Sequence, residues 1–145
     1  MNQALYNKEF EVRWADCDAN NHMRHSAYAD MAAHARIGYL TEIGIGPEWL
    51  SENNAGPVLF KETTEYFREV KMNEVLSITV ETGEPTGSDK TVTLVNNIYK
   101  ENGELAARVS VLFAWMDIIA RKVIVVPEKA RQADAFRNPD ETAQP

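Results

Sequence analysis

The chain has 145 residues, a formal net charge of −7 and one cysteine, Cys17. That length fits one domain with a sizeable core and is too short for two ordinary ones. An acidic balance with scattered Lys and Arg argues against a nucleic-acid groove or a polybasic membrane patch, and a lone Cys forbids an intrachain disulfide.

Residues 1–8 lack the apolar core of a signal peptide, and no later apolar run could span a bilayer, so a reducing, cytoplasmic setting is expected. Phe10, Val12 and Trp14 alternate with Glu9, Glu11 and Arg13, the pattern of a half-buried strand running into an acidic turn. From Tyr28 the period becomes helical: Tyr28, Met31, Ala32, Ala35, Tyr39 and Ile43 share one stripe, with Asp30, His34 and Thr41 opposite. Gly44 supplies a stop. Ala27, Ala29, Ala32, Ala33, Ala35 and Gly38 mark a core helix that another backbone can approach closely.

A loop is expected around Pro47 and through Asn53-Asn54-Ala55-Gly56-Pro57. Strand candidates follow at 58–67, 75–80, 91–99 and 105–115, with a shorter one at 122–126. Asn102-Gly103 signals a tight turn and Pro85-Thr86-Gly87-Ser88 a looser connection. Leu105, Ala107, Val109, Val111, Phe113 and Trp115 share one parity, which places their strand centrally with a continuous buried face. Residues 128–136 read as a last helical turn and 137–145 as a polar tail, leaving 1–136 as a single domain. One strand, one core helix and then several antiparallel strands suggest an α+β domain with a sheet curled around the helix.

Chemistry concentrates in Asp16-Cys17-Asp18-Ala19-Asn20-Asn21-His22-Met23-Arg24-His25-Ser26-Ala27-Tyr28, immediately before the helix. A helix beginning near Ser26 leaves its first N–H groups unpaired, and their partial positive charge can hold a developing oxyanion. Asp18 stands just upstream, where it can act on whatever those amides polarise. It can equally brace a tight turn, since Asp is common there. Asp16 is expected to brace the turn or cap backbone N–H groups, and Ser26 to cap the helix. His22 and His25 beside the two Asp residues invite a zinc site, but the run lacks an established ligand spacing, so no metal is expected. His22 is assigned to hydrogen-bonding the turn or orienting Asp18. His34 is read as a solvated partner of Asp30, and Cys17 as an inert thiol alternating away from the carboxylates.

This signature resembles that of the hotdog-fold acyl-CoA thioesterases, specifically the 4-hydroxybenzoyl-CoA thioesterase-like family. The matching elements are Asp16-x-Asp18, the turn through Asn21 and His22, the helix-opening Tyr28 and the pair Ala35-Arg36. The resemblance implies a hotdog fold and hydrolysis of acyl-CoA to a carboxylic acid and free coenzyme A, with no metal or other cofactor. It places Asp18 at the family's catalytic carboxylate. It places His25 at the position whose backbone N–H binds the thioester carbonyl, with Asp16, Asn21, His22, Arg24 and Tyr28 in support. Asn21 stands where Gly is frequent, and can take the same left-handed backbone. Arg24-His25 replaces a common Asn pair.

A thioester carbonyl is already electrophilic, so hydrolysis needs a polarised oxygen and either an activated water or a carboxylate nucleophile. An unperturbed Asp has a pKa of about 3.9, so position must supply most of its effect, as general base or as nucleophile. Lys61, Arg68, Lys71 and Lys90 are candidate cations for the coenzyme phosphates, and Tyr28, Trp49, Phe60 and Tyr66 for an acyl pocket. Carrier-protein thioesters are an alternative to CoA. The family commonly builds its sites between protomers, which implies a dimer or tetramer. A noncatalytic acyl-binding protein and a hotdog hydratase or dehydratase are the competing functions; the latter needs a His-centred motif that neither His22 nor His25 fits.

Overall fold

The computed structural model describes residues 4–133. The expected tail at 137–145, and the end of the last helical turn beyond 133, lie outside the described residues. The chain forms β1 (Tyr6–Glu11), a short 3-10 helix (Trp14–Asp16), α1 (His25–Glu42), α2 (Pro47–Glu52), β2 (Ala55–Tyr66), β3 (Val75–Thr82), β4 (Thr91–Tyr99), β5 (Leu105–Asp117), β6 (Lys122–Ile124) and α3 (Glu128–Arg131). The strands make one six-stranded sheet in the order β1-β3-β4-β5-β2, with β6 also paired to β5. Every pairing is antiparallel.

The long strand β5 runs between β4 and β2, as its apolar parity predicts. Ala107, Val109, Val111, Phe113 and Trp115 are all buried and form the floor of the core with Ile78, Val80, Leu94 and Ile98. Against this floor lies α1, which buries Ala27, Tyr28, Met31, Ala32, Ala35, Tyr39 and Leu40. Its small residues set how closely the layers meet. A Cβ at Gly38 would lie 2.6 Å from the Tyr6 hydroxyl of β1. Arg36 then fixes the helix to the sheet: its Nη1 donates to Asn96 Oδ1 at 2.7 Å, and Asn96 Nδ2 donates to the Thr79 carbonyl at 2.9 Å. Burial pushes the Arg36 guanidinium below its ordinary pKa, partly opposed by Glu62.

Four local expectations are corrected. β1 ends at Glu11, so Trp14 does not continue the strand's inward parity; it opens the 3-10 helix and stands 83% exposed. Ser26 lies inside α1, whose N-cap is Arg24 without a side-chain cap bond. Pro47 begins a helix rather than a loop, with Gly46 as N-cap and Glu48 in the first turn. Ring contact with Phe10, at 5.6 Å, occupies His34, while Asp30 faces Arg24 Nη2 at 3.6 Å.

Gly44, with φ +85°, follows the end of α1 as expected of a residue free to enter the left-handed region. β2 starts three positions before the expected 58 and, among the described residues, has β5 as its sole sheet neighbour. A bulge between Leu59 and Lys61 breaks its register, and Leu59, Phe60 and Tyr66 are each at least half exposed.

Candidate active site

The segment between β1 and α1 is shaped by its two carboxylates in different ways. Asp16 is 3% exposed. Its Oδ2 accepts the Arg13 backbone N–H at 2.9 Å and Nε at 3.1 Å, while its Oδ1 accepts Nη2 at 2.9 Å. The guanidinium hydrogen bonds hold the Asp16 carboxyl below its ordinary pKa against the opposing cost of burial. Arg24 closes the same knot, donating its backbone N–H to the Asp16 carbonyl at 2.8 Å and Nη1 to the Ala15 carbonyl at 2.8 Å.

Asp18 is exposed and organises the next turn. Its Oδ1 accepts the backbone N–H groups of Asn20 at 2.9 Å and His22 at 3.3 Å. Its own N–H donates to the His22 carbonyl at 2.9 Å, and its carbonyl accepts from Asn21 at 3.0 Å. Asn21 sits at φ +64°, the left-handed backbone expected of it. Among the described residues nothing donates to Asp18 Oδ2, so one carboxylate oxygen is fixed by the turn and the other is available.

His22 contributes its backbone to Asp18 and turns its imidazole elsewhere: Nε2 lies 3.0 Å from Glu69 Oε2. The imidazole therefore anchors the turn to the segment after β2 and does not orient the carboxylate. Met23 N–H donates to the Val70 carbonyl at 2.7 Å, and bridges join Cys17 to Met23 and His22 to Lys71. The turn is thus held from both sides.

α1 begins at His25, one position before the expected Ser26. Among the described residues, no acceptor takes the N–H of His25 or Ser26, so the helix entrance keeps its partial positive charge. Behind it, Tyr28 and Tyr66 meet edge to face with centroids 5.2 Å apart, and Tyr66 Oη donates to the His25 carbonyl at 3.5 Å. Burial, with help from Tyr66, Glu74 and Asp18, pushes the Tyr28 phenol up to about 12.

A cleft of about 670 Å³ opens over this turn, lined among others by Trp14, Cys17, Asp18, Asn21, Lys71 and Met72. Cys17 therefore borders the same space as Asp18 and does not alternate away from it; its Sγ–H donates to the Arg13 carbonyl at 3.5 Å. The expected acyl-pocket residues separate: Tyr28 pairs with Tyr66, Phe60 is exposed on β2, and Trp49 faces the Lys129 ammonium at 6.0 Å. Of the four candidate phosphate cations, Lys71 lines the cleft, while Arg68 pairs with Glu104 at 3.0 Å. Trp14 and Met72 were not expected at the site. Trp14 could have been found from Asp16, since a carboxylate that accepts the backbone N–H of the residue three positions earlier, here Arg13, caps a helical turn there and ends the strand. Among the described residues, no three His, Cys, Asp or Glu side chains gather as a metal site.

One long helix nested in a curled antiparallel sheet, with the carboxylate turn at the helix entrance, is the hotdog fold. The chain belongs to the thioesterase-like superfamily, whose family model matches residues 12–133. No curated protein matches it. Among solved structures it is similar to a Staphylococcus aureus protein in complex with CoA, at 19% identity and TM-score 0.83, covering 100% of this chain and 95% of that one. A 1,4-dihydroxy-2-naphthoyl-CoA thioesterase from Synechocystis is similar at 18% identity and TM-score 0.80, over 93% and 97% of the two chains. A DHNA-CoA thioesterase from Staphylococcus aureus is similar at 19% identity and TM-score 0.76, over 94% and 85%. No helix among the described residues is long and apolar enough to cross a membrane.

Proposed function

We propose that this chain hydrolyses acyl-CoA thioesters in the cytoplasm, with Asp18 as the catalytic carboxylate and the His25 backbone N–H as an oxyanion donor. The observation that carries the reading is the asymmetry of Asp18, a residue that lines the cleft: Oδ1 is held by two backbone amides while Oδ2 has no partner among the described residues. A carboxylate so fixed either takes a proton from water as that water attacks the carbonyl carbon, or attacks the carbon itself. In both routes a C–O bond forms, the C–S bond breaks, and the thiolate leaves to be protonated to free coenzyme A. In the second route water then hydrolyses the acyl–Asp18 anhydride, which releases the carboxylic acid and restores the carboxylate. The charge that gathers on the carbonyl oxygen falls to the unpaired amides of the α1 entrance. CoA as the carrier is supported by the family and by the CoA-bound relative.

In this reading Asp16, Asn21, His22 and Arg24 keep the turn in shape, and Tyr28 backs the helix entrance. Residues 1–136 work as one hotdog domain and as a dimer or tetramer. Support for self-association comes from β2, an edge strand with exposed Leu59, Phe60 and Tyr66. The acyl group is best found with a panel of aromatic, short and long acyl-CoA and acyl-carrier-protein substrates under thiol detection. Thiol release that disappears in folded Asp18→Asn supports the reading. A changed acyl chain on an intact thioester marks a hydratase, and binding without either reaction marks a noncatalytic protein.

A further inference from the structure

Trp14 is the most exposed large apolar side chain among the described residues, at 83%, yet it is not on a loose segment. Its 3-10 helix is locked at both ends by Asp16 and Arg13. An indole carried on a backbone fixed in this way, exposed beside a cleft, is a ready platform for a flat ring. Lys71 borders the same cleft, and its backbone is fixed by a bond from its N–H to Glu74 Oε2 at 2.6 Å and by the bridge to His22. The neighbouring cations Arg13, Arg24, Arg68 and Lys100 all face carboxylates. Among the described residues the Lys71 ammonium faces none. In a chain of net charge −7 such a cation is where an anionic ligand gains most.

We infer that Trp14, Met72 and Lys71 form the seat of the adenine nucleotide of the coenzyme, the base on the indole and thioether and a phosphate on the ammonium. This rests on the CoA-thioester reading above. An acyl chain competes for the same apolar surface, but an acyl group gains by leaving water, whereas a seat as open as Trp14 suits a base and phosphates that stay half-solvated.

The test uses the full chain and measures binding before turnover. CoA and pantetheine, which lacks the nucleotide, are each titrated against wild type, Trp14→Ala, Trp14→Phe and Lys71→Ala by calorimetry. Loss of a stacking partner corresponds to a rise of about tenfold in the Kd of CoA for Trp14→Ala, with Trp14→Phe recovering most of it. Lys71→Ala should also weaken CoA and flatten the salt dependence of its affinity. Pantetheine should not distinguish the variants from wild type. Equal losses on CoA and pantetheine, an altered oligomeric state in Trp14→Phe, or unchanged CoA affinity would each overturn the assignment. CoA binding is read without hydrolysis, so failure of the Asp18 mechanism leaves a separate signature: a nucleotide-dependent affinity with no thiol release.

Discussion

Asp16 and Asp18 stand two residues apart in one turn and have opposite surroundings. Asp16 is buried, all its described contacts are to Arg13 and Arg24, and its charge is fully answered. Asp18 is exposed, lines the cleft and engages backbone amides with one oxygen while the other has no partner among the described residues. The same functional group serves as a fastening in the first case and, in the proposed mechanism, as a reagent in the second. Burial with a full set of partners removes a carboxylate from chemistry, and partial fixation at a surface keeps it available.

The sharpest way to break this contrast is Asp18→Asn. An amide oxygen can keep accepting from Asn20 and His22 while basicity and nucleophilicity are lost. Turnover should fall at least about a hundredfold, the scale of losing general acid–base catalysis, with the melting temperature nearly unchanged. Steady-state thiol release on the best substrate, with a thermal melt alongside, checks it; near-normal turnover in a folded variant would end the mechanism.

Asp16→Asn should show the inverse profile. It places an amide donor against the Arg13 guanidinium and removes the charge that holds it, for a loss of about 1–3 kcal/mol in unfolding free energy by urea denaturation. The sign of the pH dependence follows from a folded pKa below the ordinary carboxyl value. The stability this group contributes is present above about pH 4 and is lost as pH falls through the depressed folded value. The variant should lack that part of the acid limb, so the two denaturation curves should converge as pH drops. Parallel curves would show that the ion pair adds nothing.

A smaller effect is expected at His25, where the backbone and not the ring is assigned the work. His25→Ala keeps the amide, so activity should fall by about tenfold or less. A loss as large as that of Asp18→Asn would assign the imidazole to catalysis. Smallest of all is the response to chelation: exhaustive EDTA should leave thiol release unchanged. Loss with recovery on one divalent ion would turn the His-Asp cluster into a ligand set.

The sheet was legible because its pattern is local. A shared parity along β5 and an Asn-Gly turn before it constrain which face is buried and where the chain reverses, and α1 announces itself by a stripe of small and apolar residues. The misses have different causes. Trp14 continues the alternation of β1 on paper, but Asp16 captures the Arg13 N–H and takes the chain out of the sheet before the parity can apply. The helix at Pro47 carried a readable signal, a Gly N-cap followed by Pro and Glu, that the expectation of a loop overrode. His22 and Asp30 chose their partners through tertiary contact: Glu69 lies beyond β2, and Arg24 reaches Asp30 from the helix cap. No periodicity encodes such pairs. At the site, the carboxylate turn and the left-handed Asn21 could be read from residue types, whereas Met72 comes from beyond β2 and needed the fold to bring it in, and only the fold separates Lys71 at the cleft from the other candidate cations.

The buried phenol of Tyr28 gives the entrance of α1 a titration of its own. Its folded pKa of about 12 exceeds the ordinary value of 10.0, chiefly because burial disfavours the phenolate. Unfolding therefore releases a proton when the pH lies between the two values, and by linkage the stability supplied by the neutral ring is present below about pH 10 and lost as pH rises through the folded value. Through the neutral range the ring stays uncharged. The Tyr28–Tyr66 contact behind the His25 carbonyl is consequently insensitive to physiological acidity, and alkali loosens it at the point where the helix meets the carboxylate turn.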